Sequence, residues 1–280
     1  MIMFIVFCVA VGAALGSFAC CQAWRIRYRA EGKKELGERS VCLRCGKKLR
    51  WYENIPIVSW VVQRGKCRKC GEKIGGAEII SEVLGAVFGG LIGIKYLDKF
   101  IRVVFKDGMN ILGGSSGGTT SEMWLVLAEI LLIVVIFTTM GIIAIYDAKW
   151  GEMPTKLLWA TVILGVIFAG IRVWRGEVSV LELGGAIGIL AGIYYILYKV
   201  SEEKWVGGGD WILCLAIGLI LGEPFLALLE LSLANILGLI IMVPIRRGKD
   251  RKRREIPMGP FLVIAAILIF SFSDLLMNMI

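Results

Sequence analysis

Eight apolar segments dominate this 280-residue chain, several approaching or exceeding the roughly 18–20 residues that cross a bilayer. Inside hydrocarbon a backbone must satisfy its own N–H and C=O groups, so runs of this kind fold as α-helices. Hydrophobic residues make up 57% of the sequence and charged residues 20%, with a mean hydropathy of +0.75. Globular domains sit nearer about a half and a quarter. The fold class that follows is an all-α polytopic membrane protein, and a pair of soluble domains is excluded.

The runs place spans at 1–24, 77–97, 122–146, 154–173, 178–199, about 210–222, 225–245 and 257–277. Charge orients them. Residues 25–76 hold 15 Lys/Arg against 5 Asp/Glu, and residues 246–255 hold 7 against 2, within a net charge of +9. Basic blocks between spans are retained on the cytosolic side. Alternating eight spans from a cytosolic 25–76 puts the N-terminus outside and brings 147–153, 200–209 and 246–256 to the cytosol. The count and the charge agree. Anionic headgroups of the membrane lipid account for both blocks, so nucleic acid is not expected as a partner. The sixth span is the shortest, ended by Gly222-Glu223-Pro224, and is expected to be a short, buried or partly re-entrant helix. Residues 1–24 lack a basic leader and are read as a retained span, not a cleavable signal. Residues 107–121, centred on GGSSGG, read as a flexible external loop. The domains expected are therefore a first helix at 1–24, a cytosolic loop domain at 25–76 and a helical membrane domain at 77–280.

The chain contains no histidine. That excludes Ser-His-Asp and Cys-His catalysis, His-ligated zinc proteases and imidazole proton shuttles. Proton chemistry would fall to carboxylates, thiols, lysines or tyrosines.

Cys42-Leu-Arg-Cys45-Gly and Cys67-Arg-Lys-Cys70-Gly have the spacing of a four-cysteine zinc site. Two disulfides or a redox pair are the alternatives, and disulfides suit a reducing cytosol less well. Four thiolates fill the tetrahedron and leave no place for water, so one structural Zn2+ is expected, folding a loop with little apolar core of its own. Cys8, Cys20, Cys21 and Cys214 lie in or beside spans and read as packing residues.

Two aspartates stand at cytosolic span ends. Asp147 follows LLIVVIFTTMGIIAIY, and Asp210 closes Gly207-Gly208-Gly209-Asp210. Carboxylates in such surroundings are costly and mark function. Glycines beside Asp210 leave room for a substrate backbone. Two carboxylates about one water form an acid–base pair without histidine, because repulsion splits their titration. On these residues alone, helix-end caps or a carboxylate-dependent transporter with a zinc-stabilised loop stay open beside catalysis.

Several separate motifs together resemble the type IV prepilin peptidases, the bifunctional leader peptidase/N-methyltransferases of pilus and secretion systems. They are Gly16-Ser17-Phe18 with Arg25, Arg39-Ser40 before Cys42, and Trp51-Tyr-Glu-Asn54-Ile-Pro56-Ile-Val-Ser59-Trp60 with Arg64-Gly65-Lys66-Cys67. Asp147 with Pro154, Gly207-x-Gly209-Asp210, and Ile256-Pro257-Met258-Gly259-Pro260 complete the set. The resemblance implies an intramembrane aspartyl protease of the GxGD type with Asp147 and Asp210 as its catalytic pair. It further implies a prepilin or pseudopilin substrate whose basic leader is cut at the cytosolic face of a prokaryotic inner membrane. Methylation of the new N-terminus from S-adenosylmethionine would follow, and a peptidase without that second activity is the nearer alternative. Glu82 falls where the family has a glutamate and joins Gly207 and Gly209 as a candidate substrate contact. The chain departs from the family at Cys20, Thr155 and Ile212, and Gly76-Ala-Glu78-Ile stands where an Arg-Tyr-Pro element is expected.

Overall fold

A computed structural model describes residues 2–32, 40–42, 44–101, 119–246 and 257–279. The helices are α1 (Ile2–Ala30), α2 (Val58–Val62), α3 (Gly76–Ile101), α4 (Thr119–Trp150), α5 (Thr155–Trp174) and α6 (Val180–Val200). After them come α7 (Asp210–Leu221), α8 (Pro224–Arg246), α9 (Gly259–Ser271) and α10 (Ser273–Met277). Among the described residues the only β pairing is two isolated bridges, so the chain is helical as expected. Six helices are long and apolar enough to cross a membrane, and α7 and α9 are apolar but shorter. The GGSSGG centre of the external loop and the basic block 247–256 lie outside the described residues.

The helices overrun the expected spans. α1 continues past residue 24 to Ala30, where Arg27 pairs with Glu31 one turn on at 2.7 Å. The loop that follows is correspondingly shorter than 25–76.

The chain divides into two compact units, Met1–Asp98 and Lys99–Ile280. In the first unit, glycines set the approach of α1 to α3. Gly12 and Gly16 face Gly85, Gly89 and Ser81, at the small-xxx-small spacing that brings helices into backbone contact in lipid. A Cβ on Gly16 would lie 2.1 Å from the Ser81 carbonyl oxygen, and one on Gly85 would lie 2.3 Å from that of Gly12. Neither neighbour is a side chain that can swing away. We expect Gly16→Leu to force the helices apart and destabilise this unit by at least about 2–3 kcal/mol, the upper range for overpacking. Thermal melts of the full chain in detergent check this; a wild-type midpoint would show that the two helices do not need this contact.

In the second unit α7 is the central helix. All its residues from Ile212 to Leu221 except Leu215 are buried, and α5, α6 and α9 surround it. It runs alongside α5. Trp211 meets Trp159 near the start of both helices, with ring centroids 6.3 Å apart. At the far end the Arg172 guanidinium donates to the carbonyls of Ile220 and Leu221 at 2.8 and 3.1 Å. Those carbonyls end a helix and have no partner within it, so the arginine satisfies what bilayer interior cannot. Gly222, with φ of 74°, then stops the helix in the left-handed conformation that glycine adopts without steric cost. The short sixth segment is thus a buried helix that passes through the core of the unit.

Candidate active site and metal centre

The two Cys-x-x-Cys segments fold as near copies. Cys42 N–H donates to Lys47 O and Gly46 N–H to Cys42 O; Cys67 N–H donates to Glu72 O and Gly71 N–H to Cys67 O, all at 2.8–2.9 Å. Each turn is closed by a bridge, Val41 to Lys48 and Lys66 to Lys73. Gly46 and Gly71 sit at φ of 66° and 70°, a conformation that any side chain would strain. The four sulfurs lie within 4.8 Å of one another, with Cys42 3.8 Å from Cys70 and Cys45 4.0 Å from Cys67. A tetrahedron of Zn–S bonds of about 2.3 Å separates its sulfurs by about 3.8 Å. None of the eight cysteines is in a disulfide. Backbone N–H groups of Cys70 and Lys69 pull the Cys67 thiol down to about 6. Lost solvation and hydrogen bonding among the crowded sulfurs push Cys70 up to about 12. A divalent cation at the centre removes that conflict, and the four residues can hold one.

Glu82 joins three of the sequence motifs. Its carboxylate accepts the Ser17 hydroxyl at 2.8 Å and the Ile57 N–H at 2.8 Å. Ile57 has φ of 63° and ψ of −54°, and Val58 N–H bonds back to Pro56 O at 2.6 Å. This is a γ-turn of the strained hand, costly for a β-branched residue. Glu82 holds it in place, and both carboxylate oxygens are used within the first unit. Glu53, which accepts Lys47 Nζ at 2.6 Å and the Arg50 N–H at 2.9 Å, braces the same loop. Those donors hold its carboxyl below the usual range, so the brace is intact at neutral pH and fades as the pH falls through the lowered value.

In the second unit, Asp147 lies in the last turn of α4 and Asp210 opens α7; they are 5% and 6% exposed. Asp147 Oδ2 accepts the Gly259 N–H at 2.9 Å, at the N-terminus of α9. Asp210 Oδ2 accepts the Gly207 N–H at 3.0 Å, closing the glycine turn on itself. Met153, from the link between α4 and α5, packs against both places. A Cβ on Gly209 would lie 2.8 Å from its sulfur, and one on Gly259 2.9 Å from its methyl. The ends of α4, α7 and α9 therefore meet around one methionine, with a carboxylate on either side.

Beside Gly209, the space freed by the missing side chain is filled by Met153. Beside Gly207 the nearest atom is Asp210 Oδ2, at 3.3 Å from a hypothetical Cβ. Within this unit, then, the two glycines let Met153 and the Asp210 carboxylate approach. A Cβ at Gly259 would stand 2.8 Å from Asp147 Oδ2. We expect Gly259→Ala to displace that carboxylate and slow peptide cleavage about 10- to 100-fold, while alanine is intrinsically the better helix former. The turnover rate is the measurement, and an unchanged rate would remove the Gly259–Asp147 contact from the working arrangement.

Two family profiles match this arrangement piece by piece. The bacterial peptidase A24 N-terminal domain matches residues 10–96, which include the cysteine turns and Glu82. The type IV leader peptidase family matches residues 124–243, which include both aspartates. The chain belongs to the type IV leader peptidase family. Relatives of that family agree over nearly the full length. A protein named prepilin leader peptidase/N-methyltransferase from Vibrio cholerae is 26% identical over 95% of this chain and 96% of its own length. Proteins of the same name from Bacillus subtilis and Dichelobacter nodosus are 26% and 28% identical, over 94% and 84% of this chain and 92% and 71% of their own lengths. No solved structure is matched.

Two residues of this leader peptidase fold escaped the sequence reading. Met153 stands in the tail of the first aspartate motif, but only packing shows that it meets both glycines. Glu230 on α8 is 0% exposed, and neither carboxylate oxygen makes a hydrogen bond among the described residues. Tyr194 and Cys214 lie within electrostatic reach of both Glu230 and Asp210. A lone Glu in an apolar run was the available signal.

Proposed function

We propose that this chain removes the leader peptide from a prepilin or pseudopilin by aspartyl protease chemistry and methylates the amino terminus so exposed. The observation that carries the proteolytic part is the meeting of Asp147 and Asp210 about Met153 at one end of the helical unit. With one carboxyl ionised and the other protonated, the first takes a proton from water while the second donates one to the scissile carbonyl oxygen. Water adds to the carbonyl carbon, and the C–N bond then breaks as a proton reaches the leaving amine. The Gly207 and Gly259 N–H groups keep each carboxylate turned toward the shared water. The comparisons favour this reading over a carboxylate-dependent carrier.

Topology supports eight crossings with the catalytic end in the cytosol. The basic block 246–256 connects α8 to α9, and α9 begins at the residue bonded to Asp147. Positive charge beside the catalytic end marks that end as cytosolic. The membrane is the inner membrane of a prokaryote, and its anionic lipid faces this block. The metal is a single structural Zn2+ on Cys42, Cys45, Cys67 and Cys70, which supplies folding energy to the loop and takes no part in peptide hydrolysis. S-adenosylmethionine is the methyl donor and, when bound, supplies an electrophilic methyl carbon. Gly207 and Gly209 shape the substrate path by placing the Asp210 carboxylate, and Glu82, in the first unit, is a separate candidate contact that holds the strained loop at Ile57.

Co-expression with a cognate prepilin, followed by mass analysis of the mature pilin, tests the whole reading. Loss of the leader and a gain of one methyl group are expected. Leader loss alone would leave a peptidase without the second activity, and an intact leader would remove both.

A further inference from the structure

The stretch between the two cysteine turns leaves much of its apolar surface uncovered. Val58, Val61 and Val62 are each more than half exposed. They stand at positions i, i+3 and i+4 of α2, so one face of that turn is a stripe of valine. Trp60, off the stripe, packs against Gly65, where a Cβ would meet the indole at 2.9 Å. Ile55 and Trp51 are exposed as well, and Trp51 stands edge-on to Tyr52, whose hydroxyl accepts the Arg50 guanidinium at 2.8 Å. Five exposed apolar side chains thus fall within twelve residues, and neither the metal centre nor the aspartate pair uses them. Exposed apolar surface of this kind marks an interaction site.

Two hydrogen bonds fix the depth at which α2 begins. The Ile57 N–H, next to Val58, is bonded to one oxygen of Glu82, and the other oxygen takes the Ser17 hydroxyl, both at 2.8 Å. Glu82 lies six residues along α3 from Gly76, a rise of about 9 Å. Ser17 lies eight residues, about 12 Å, before Arg25, the first charged residue of α1. Both helices are long and apolar enough to cross a membrane. At this level their outward side chains are apolar: Ile80, Val83 and Leu84 on α3 and Phe18 on α1 are exposed. Acyl chains cover such faces in a spanning helix. The loop is therefore tied to its helices at a level that lipid reaches, and about 9 Å falls within the roughly 5–10 Å to which interfacial helices sink.

We propose that residues 51–62 form an interfacial anchor, in which the valine stripe of α2, with Ile55 and Trp51, sits among the acyl chains of the leaflet where α1 ends and α3 begins. Charge selects lipid as the occupant. The chain leaves the stripe through Arg64, Lys66 and Lys69, all exposed, which suit the anionic headgroups that lie above acyl chains. A basic leader peptide would be repelled by the same residues. Trp and Tyr, apolar in body and polar at one end, are the side chains that collect at this boundary. The strained turn at Ile57 gains a use, because it reverses the chain at the bonded level and starts α2 there. The inference needs only that α1 and α3 cross the bilayer, and it stands apart from the peptidase and methyltransferase readings.

The test places the full-length protein in vesicles of phosphatidylethanolamine and phosphatidylglycerol that carry a photoreactive group on an acyl chain. Trypsin cuts after Arg50 and Arg64, so the whole patch leaves as one peptide, and the peptide after Lys73 reports α3. After illumination both peptides should carry lipid label. Val61→Asp combined with Val62→Asp should lower the label on the patch peptide roughly 5- to 10-fold and leave that on α3 unchanged, because a carboxylate does not enter the acyl region. A melting midpoint close to wild type shows that the double variant folds; if it does not fold, the wild-type label decides. A patch peptide without label in wild type, beside a labelled α3, overturns the anchor, as does undiminished label in the folded double variant. A photoreactive p-benzoylphenylalanine in place of Val61 then identifies the occupant. Adducts with lipid acyl chains are expected, whereas adducts with residues 99–280 or with an added prepilin would assign the face to protein and overturn the proposal.

Discussion

Asp147→Asn and Asp210→Asn should each reduce leader cleavage by at least about three orders of magnitude while leaving the protein inserted and monodisperse. An amide has the shape of the acid but neither the proton to give nor the charge to accept one, so the pair loses its division of labour. The fold should tolerate the change, because each carboxylate accepts one backbone N–H in the structure and an amide oxygen can accept the same bond. Groups acting as a unit are not additive, so the double variant should be no slower than either single one. Prepilin processing by purified variants is the measurement. Cleavage within tenfold of wild type by either would remove the aspartates from the chemistry.

The second large effect concerns the metal. Purified protein should carry one zinc, lost when Cys42 and Cys67 are both changed to Ser. Structural zinc in comparable small sites is worth about 10–16 kcal/mol of apparent binding energy, well above the stability of the roughly fifty residues it organises. The loop should therefore become protease-sensitive on strong chelation or in the double variant. Zinc-free protein with an intact, protease-resistant loop would show that the cysteines pack without a metal.

Much of this molecule is legible in its sequence, for identifiable reasons. Bilayer physics leaves helices as the solution for long apolar runs of this kind, so the six long apolar helices and the two shorter ones follow from composition. The cysteine turns are legible because both ligands and turn glycines repeat at one spacing, Cys42 to Gly46 and Cys67 to Gly71. The overrun of α1 to Ala30 was missed because its arginines break the apolar pattern without breaking the helix. Met153 was missed because its importance lies in two glycines far along the chain. The work of Glu82 was hidden in the same way: its partners, Ser17 and Ile57, are separated from it by 65 and 25 residues. Local pattern reports what a segment tends to become, whereas these contacts exist only after distant segments have packed.

The length of α7 has a consequence for where the reaction happens. Its twelve residues rise about 18 Å, against a hydrocarbon thickness of about 30 Å. If the Arg172 end sits at the outer boundary, Asp210 lies some 12 Å short of the inner one; its neighbour Trp159, four residues into α5, puts the figure nearer 6 Å. Trp211→Cys, with the native cysteines kept, should therefore add a residue that reacts with membrane-impermeant thiol reagents, read by mass analysis of the labelled peptide, and protection of that residue would mean that the site is dry. Either depth asks the same of the substrate. The peptide must unravel part of its membrane helix as it descends below the headgroups, and the enzyme must carry water down to meet it. With Asp147 and Asp210 as the proposed catalytic pair, the short central helix would act as a depth gauge, selecting a bond by its distance from the surface as well as by its sequence.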